Sequence, residues 1–287
     1  MKSITFRFQG KKIEIIDRPL TWMSQDDLAA LQQRLRTVAA ARFGYEPRYS
    51  YFSDTRFFAD KVIVICSDAD GERDHCFCAM CHLGEHAGRA AVHLGSVFSA
   101  SENKGYLNYL YTFGLIFVAF KNGLFRKIYV TSLTHTPKIF GIVSDGFENV
   151  FPDANPDKTP SATHLALRDR LIHHYIEKEW NLPEPVSCQD NFVIPSLRRQ
   201  ADGEIMFPDT AETVPKYRSE QVNQRLLSLL DYQRGDEILQ VGELWVPYSL
   251  PKKIFNVFKN AAKAPRARVP ATATAKPAWL DPAQPQA

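Results

Sequence analysis

The chain has 287 residues, with 35 Lys+Arg against 32 Asp+Glu for a net charge of +3. The seven basic residues and one acid from Lys252 onward put +6 on the last 36 positions and leave −3 on residues 1–251. A surface that is basic throughout is excluded, so nucleic acid is not an expected partner. The 45% hydrophobic and 23% charged composition is that of a globular protein with a sizeable core. No run reaches the ~18 apolar residues of a membrane span, and the start MKSITFRFQGKK lacks the apolar stretch of a signal peptide. Five cysteines, an odd number, fit free thiols in a reducing compartment, so the expected location is cytoplasmic.

Residues 2–17 read as a hairpin: Ile4, Phe6 and Phe8 alternate with polar residues, and Gly10-Lys11 turns toward Ile13, Ile15 and Ile16. Ser24 with Asp27 caps a helix whose Leu28, Leu31, Leu35, Val38, Ala39 and Phe43 recur at helical spacing until Gly44. Residues 44–60 are aromatic and irregular, and two readings stay open. They are a loop folded over the core, or a pocket wall carrying Tyr51, Phe52, Phe57 and Phe58. Residues 61–67, 75–83 and 90–99 read as three strands broken at Gly71 and at Gly84 and Gly88. A helix over about 106–121, apolar almost all round and so expected to be buried, leads through Asn122-Gly123 to a strand at 126–132. Thr136-Pro137 opens a helix to about Ser144, and 150–160 is a Pro/Asp/Asn loop. Helices at 161–180 and 216–232, an extended pair over 191–207 and a strand at 236–246 follow.

In residues 251–263, Ile254, Phe255, Val257, Phe258 and Ala261 fall on one side and Lys252, Lys253, Lys259 and Lys263 mostly on the other. Such a basic amphipathic helix either packs on its own domain or lies on an anionic membrane surface or an acidic carrier protein. Residues 264–287, rich in Ala, Pro, Lys and Arg, read as a disordered tail.

Four further features carry possible chemistry. A short loop with one Gly at a helix start presents the amides of Lys104, Gly105, Tyr106 and Leu107 to a phosphate, or is simply a helix N-terminus. Gly95-Ser96-Val97, a Gly inside a strand, marks a bulge. His93 and His135 titrate near neutrality and are either candidate general bases or hydrogen-bonded structural histidines. His75, Cys76, Cys78, Cys81, His82 and His86 suggest a metal. On a strand, however, Cys78 and Cys81 face opposite ways, and buried thiols are the simpler account. No metal is assigned.

The order helix, three strands, helix, strand, helix over residues 24–151 resembles the GNAT acyltransferase superfamily. The segment His93–Leu107 and the later Asp145-Gly146-Phe147…Phe151-Pro152 carry the likeness, which is nearest to the branch of acyl-homoserine-lactone synthases and N-acyl amino acid synthases. The resemblance implies an α/β fold of GNAT type, a mixed central sheet flanked by helices. An N-terminal hairpin (1–20) precedes the domain (21–250), which carries a C-terminal extension from about residue 160. It implies acyl transfer from an acyl-CoA or acyl carrier protein thioester to a small-molecule amine, with no permanently bound cofactor. Gly105 and its neighbours would hold phosphate, the Val97 and Ser99 backbone would hold pantetheine, and His93 or His135 would act as base. Glu102 stands where the family has Arg or Gln, Leu107 where it has Gly or Ala, and Ile142 where many members have a Tyr acid. These departures point to a carrier phosphate and a medium or long acyl chain. They also fit a second reading, a non-catalytic binding module for a lipid, carrier protein or protein partner. Membrane contact, if made, would run through residues 251–268.

Overall fold

The computed structural model describes residues 1–44, 49–100, 107–180, 185–199 and 203–247. Strands β1 (Ser3–Phe8) and β2 (Lys11–Asp17) form the expected hairpin, and helix α1 (Gln25–Phe43) follows. The Ser24 hydroxyl accepts from the Asp27 amide, and Gly44 at φ 73° ends the helix in the left-handed conformation that costs Gly least. A short helix α2 (Ser50–Ser53) leads to β3 (Lys61–Ser67), β4 (Asp74–His86) and β5 (Arg89–Ser99). Helix α3 (Leu107–Asn122), β6 (Lys127–Thr134), α4 (Pro137–Gly146) and β7 (Glu148–Phe151) come next. The rest of the chain adds α5 (Ala162–Leu171), a π-turn (Ile172–Ile176), α6 (Glu177–Glu179), β8 (Val193–Ile194), α7 (Glu220–Leu229) and β9 (Glu237–Trp245).

All nine of these strands join one mixed sheet, ordered β1-β2-β3-β4-β5-β6-β9-β7, with β8 also on β9. Every pairing is antiparallel except β5 with β6. The expected mixed sheet flanked by helices is therefore present. Strand β3 is buried at every position because both faces are covered. Val62, Val64 and Cys66 share a core with Cys76, Cys78, Met80 and the α3 residues Leu110, Leu115 and Val118. Ile63, Ile65, Phe77 and Ala79 pack on the opposite side with Leu28, Leu31 and Leu35 of α1. Cys76, Cys78 and Cys81 are thus core thiols, while His82 hydrogen-bonds Asp17 at 2.8 Å and His75 bonds Asp68 at the same distance.

The helix expected at 161–180 is present as one run of α5, the π-turn and α6, with the cap amide of Glu177 bonding back to Ile172. Two expectations need correction. Helix α3 is buried over much of its length but not all round: Phe120 is 61% exposed. The extended pair at 191–207 reduces, among the described residues, to β8 and one bridge between Arg199 and Ile205. Among the described residues no helix is long and apolar enough to cross a membrane.

Candidate functional site

The parallel pairing of β5 with β6 stops early. Ala91, Val92 and His93 lie opposite Tyr129, Val130 and Thr131, and beyond them both strands continue without pairing to each other. A bulge opens the gap. The step from Ala79 to Cys81 on β4 answers the step from Ser96 to His93 on β5, so β5 carries one extra residue at Leu94-Gly95. Gly95 takes φ 56° there, and its carbonyl accepts a 2.9 Å hydrogen bond from the Tyr111 hydroxyl on α3. The other edges of the two strands are held by β4 and by β9, so the splay between them persists.

A cleft of about 230 Å³ fills this splay. His93 to Phe98 of β5 form one wall and Ser132 to His135 the other. Tyr49, Trp180 and Phe207 add aromatic surface, and Tyr175 and Glu237 come from the C-terminal half. Tyr49 touches both Phe98 and Trp180, with ring centroids 5.7 and 5.9 Å apart. The indole Nε1 of Trp180 is buried without a hydrogen-bond partner among the described residues. Such a group costs about 1–3 kcal/mol that a bound acceptor atom would remove.

His93 and His135 meet in this cleft but differ in chemistry. His93 is buried, bonds Thr131 Oγ1 at 3.0 Å through Nδ1, and lies 4.3 Å from the Tyr175 ring. Burial, with the nearby Lys61 charge, pushes its pKa down to about 3, which makes it a weak proton acceptor. His135 directly follows β6. Its Nδ1 is 2.9 Å from Glu237 Oε1 and its Nε2 is 3.1 Å from Asp209 Oδ2. Burial opposes its charge, but the two carboxylates outweigh burial and raise its pKa. Tyr175 carries a hydroxyl that burial keeps protonated, its pKa well above the usual value.

The other expected residues divide three ways. Val97 lines the cleft, and Ser99 is a buried position of β5 paired with Cys76. Lys104, Gly105 and Tyr106 lie outside the described residues, and Leu107 begins α3. Tyr51, Phe52 and Phe58 do not line the cleft. They are buried in the core against α1, with Phe57 partly buried beside them. These rings form a second layer: Tyr51 stacks on Tyr49 at 5.5 Å, and its hydroxyl shares a 2.5 Å hydrogen bond with Ser96. The physical reason is the short turn of α2, which points Tyr51 and Phe52 inward and leaves Tyr49 at the opening.

Sequence reading did not find Tyr175, Trp180, Phe207 and Glu237, which reach the cleft from beyond residue 160. Only Glu237 left a trace, as an acid at the head of the apolar strand DEILQV. Beneath His93 lies a buried pair that was also missed. Lys61 is ion-paired to Glu179 and, at 2.9 Å, to Asp60, with its Nζ 5.3 Å from the Tyr175 ring.

No protein-family model and no curated protein matches the chain. Several solved structures are similar to it. A probable acetyltransferase (GNAT family) from Chromobacterium violaceum shares 16% identity over 51% of this chain and 76% of its own, at a TM-score of 0.33. The ribosomal-protein-S5-alanine acetyltransferase of Vibrio fischeri shares 12% over 45% and 73%, at 0.29. The aminoglycoside 6'-N-acetyltransferase of Enterococcus faecium shares 10% over 80% and 96%, at 0.31.

Proposed function

We propose that the chain is an N-acyltransferase, moving an acyl group from an acyl-CoA or acyl carrier protein thioester to a small-molecule amine. The observation that carries this reading is the splay of β5 from β6 after only three residue pairs, held open by the bulge at Gly95. Unpaired strand backbone suits an extended pantetheine arm, and backbone donors there can polarise a thioester carbonyl. A thioester is already activated, so positioning it beside an amine supplies most of the catalysis. The aromatic surface of Tyr49, Phe98, Trp180 and Phe207 supports a medium or long acyl chain over acetyl. Phosphate binding is assigned to Lys104, Gly105, Tyr106 and Leu107, and pantetheine to the backbone of Val97 and Ser99. The protein would work in the cytoplasm. Its basic segment 251–268 would meet an acidic carrier protein or an anionic membrane face.

The test is incubation with thioesters from acetyl to palmitoyl, on CoA and on acyl carrier protein, with a mixture of amines. Release of free thiol together with an amide product of matching mass is expected. No turnover and no thermal shift with any donor would overturn the proposal. A thermal shift without turnover would support the second reading, a non-catalytic binding module, which Glu102, Leu107 and Ile142 favour.

A further inference from the structure

We propose that Glu237 takes the proton from the acceptor ammonium, and that His135 and Asp209 carry it out to solvent. This rests on the acyl-transfer reading.

The three side chains form a line from the cleft to the surface. Glu237 opens β9, lines the cleft and is only 6% exposed. Its Oε1 meets His135 Nδ1 at 2.9 Å, His135 Nε2 meets Asp209 Oδ2 at 3.1 Å, and the Asp209 side chain is 37% exposed. Such a chain of donors and acceptors hands a proton along when the ring between the two carboxylates is neutral with its proton on Nε2.

The surroundings fix the groups in place. Arg198, 1% exposed, sets its Nε 3.8 Å from Glu237 Oε1. The same guanidinium is anchored on the carbonyls of Phe207 and Asp236 at 2.6 and 3.4 Å, so it faces Glu237 from a fixed position. Tyr232 donates to the His135 carbonyl at 2.6 Å and fixes the backbone that carries the ring. Arg198, Asp209, Glu237 and the Tyr232 phenol are the ionisable groups facing His135. Arg234 is spent on Asp236, which faces the turns around it.

The chemistry needs an outlet of this kind. An alkylammonium must lose one proton before its nitrogen can attack, and a buried cleft has little water to receive it. His93 also lines the cleft, but its Nδ1 is taken by Thr131 and burial disfavours its protonated form. In the proposed sequence, an N–H bond of the ammonium breaks and its proton passes to the Glu237 carboxylate. At a pH above the His135 pKa, where the ring is neutral with its proton on Nε2, the proton moves from there to the free Nδ1 as the Nε2 proton leaves to Asp209 and water, and the Nε2 tautomer re-forms before the next turnover. The amine lone pair then forms the C–N bond, and the C–S bond breaks with its electron pair on sulfur. The thiolate takes the second nitrogen proton. One proton per turnover leaves the protein, and the amide and thiol account for the remaining atoms.

The experiment compares two acceptors on the full chain, an alkylamine that is an ammonium at neutral pH and an aniline that is already neutral. In Glu237→Gln, kcat/KM for the alkylamine should fall about 100-fold or more, while the aniline loses less than about threefold. Raising the pH should restore the alkylamine rate about tenfold per unit, following the fraction of free amine. Asp209→Asn, at the exposed end, should show the same split at smaller size and guards against a folding defect in the buried variant. Equal losses for both acceptors in both variants, or no loss in either, would overturn the role of Glu237 while acyl transfer by the wild type stands. Failure of the wild type to acylate either acceptor would overturn the transfer reading, and this assignment with it.

Discussion

Gly95 lies so close to Ala79 that a Cβ built on it would fall 1.9 Å from the Ala79 carbonyl oxygen. The contact is backbone, so no side chain can move aside, and the φ of 56° is itself unfavourable for a residue with a Cβ. Bulge and close approach together keep β5 away from β6. Gly95→Ala should lower stability by about 2–4 kcal/mol, from the left-handed backbone and the overpacking combined. Donor-thioester binding should be lost with it. Urea melts and thermal shift with acyl thioesters check this, and a variant of wild-type stability that still binds would show that the bulge is dispensable.

The two aromatic layers should separate in mutagenesis. Phe52→Ala empties a fully buried site and should cost about 3–5 kcal/mol, leaving acyl-chain preference unchanged. Trp180→Ala should cost less and shift that preference, since the indole lines the cleft. Chain-length profiles of the two variants, with their chemical melts, give the comparison.

The low pKa of His93 makes a statement about stability against pH. Its folded-state pKa of about 3 lies below the 6.5 of an unperturbed histidine, so the unfolded chain binds the extra proton between those values. The contribution is fully present above 6.5 and is lost as pH falls toward 3, at about 1.4 kcal/mol per unit. His93→Gln should flatten the acid limb of the stability curve relative to wild type. Parallel curves would mean that His93 is not buried neutral.

His135 has the opposite sign. Its raised pKa means its stabilisation is complete below about 6.5 and fades as pH rises through the folded value. Melting temperature against pH for His135→Gln should therefore converge with wild type on the alkaline side. Convergence on the acid side instead would contradict the imidazolium held between Asp209 and Glu237.

Lys61 and Glu179 form a buried pair, each side chain 2% exposed. Lys61→Met should cost about 3–5 kcal/mol by stranding the carboxylate, and adding Glu179→Leu should recover most of it. Non-recovery in the double variant would assign the cost to packing around the lysine stem.

The parts of this fold that were legible in the sequence are those set by local chemistry. Ser24 and Gly44 bracket α1 because a cap and a left-handed terminator are local signals. The apolar runs of β3 and β5 stand out between turns at Gly71, Gly84 and Gly88, and Gly95 marked the bulge. What escaped depends on partners distant in sequence. Nothing near β6 announces that β9, over a hundred residues later, covers its free edge. Glu237 looks like an ordinary strand residue until that pairing brings it to the cleft, and Tyr175 and Trp180 reach it by packing against His93 and Tyr49. For Tyr51 and Phe52 both readings stay open in the sequence, because aromatic composition alone does not distinguish a lining ring from the one stacked behind it.

The position of β9 between β6 and β7 also governs how the molecule can be made and divided. The β6 side of the sheet is completed by a strand synthesised after the other eight, so the nascent chain holds an open edge at β6 until then. Cutting the protein near residue 160 would separate no autonomous half. It would expose that edge and strip the cleft of Tyr175, Trp180, Phe207 and Glu237.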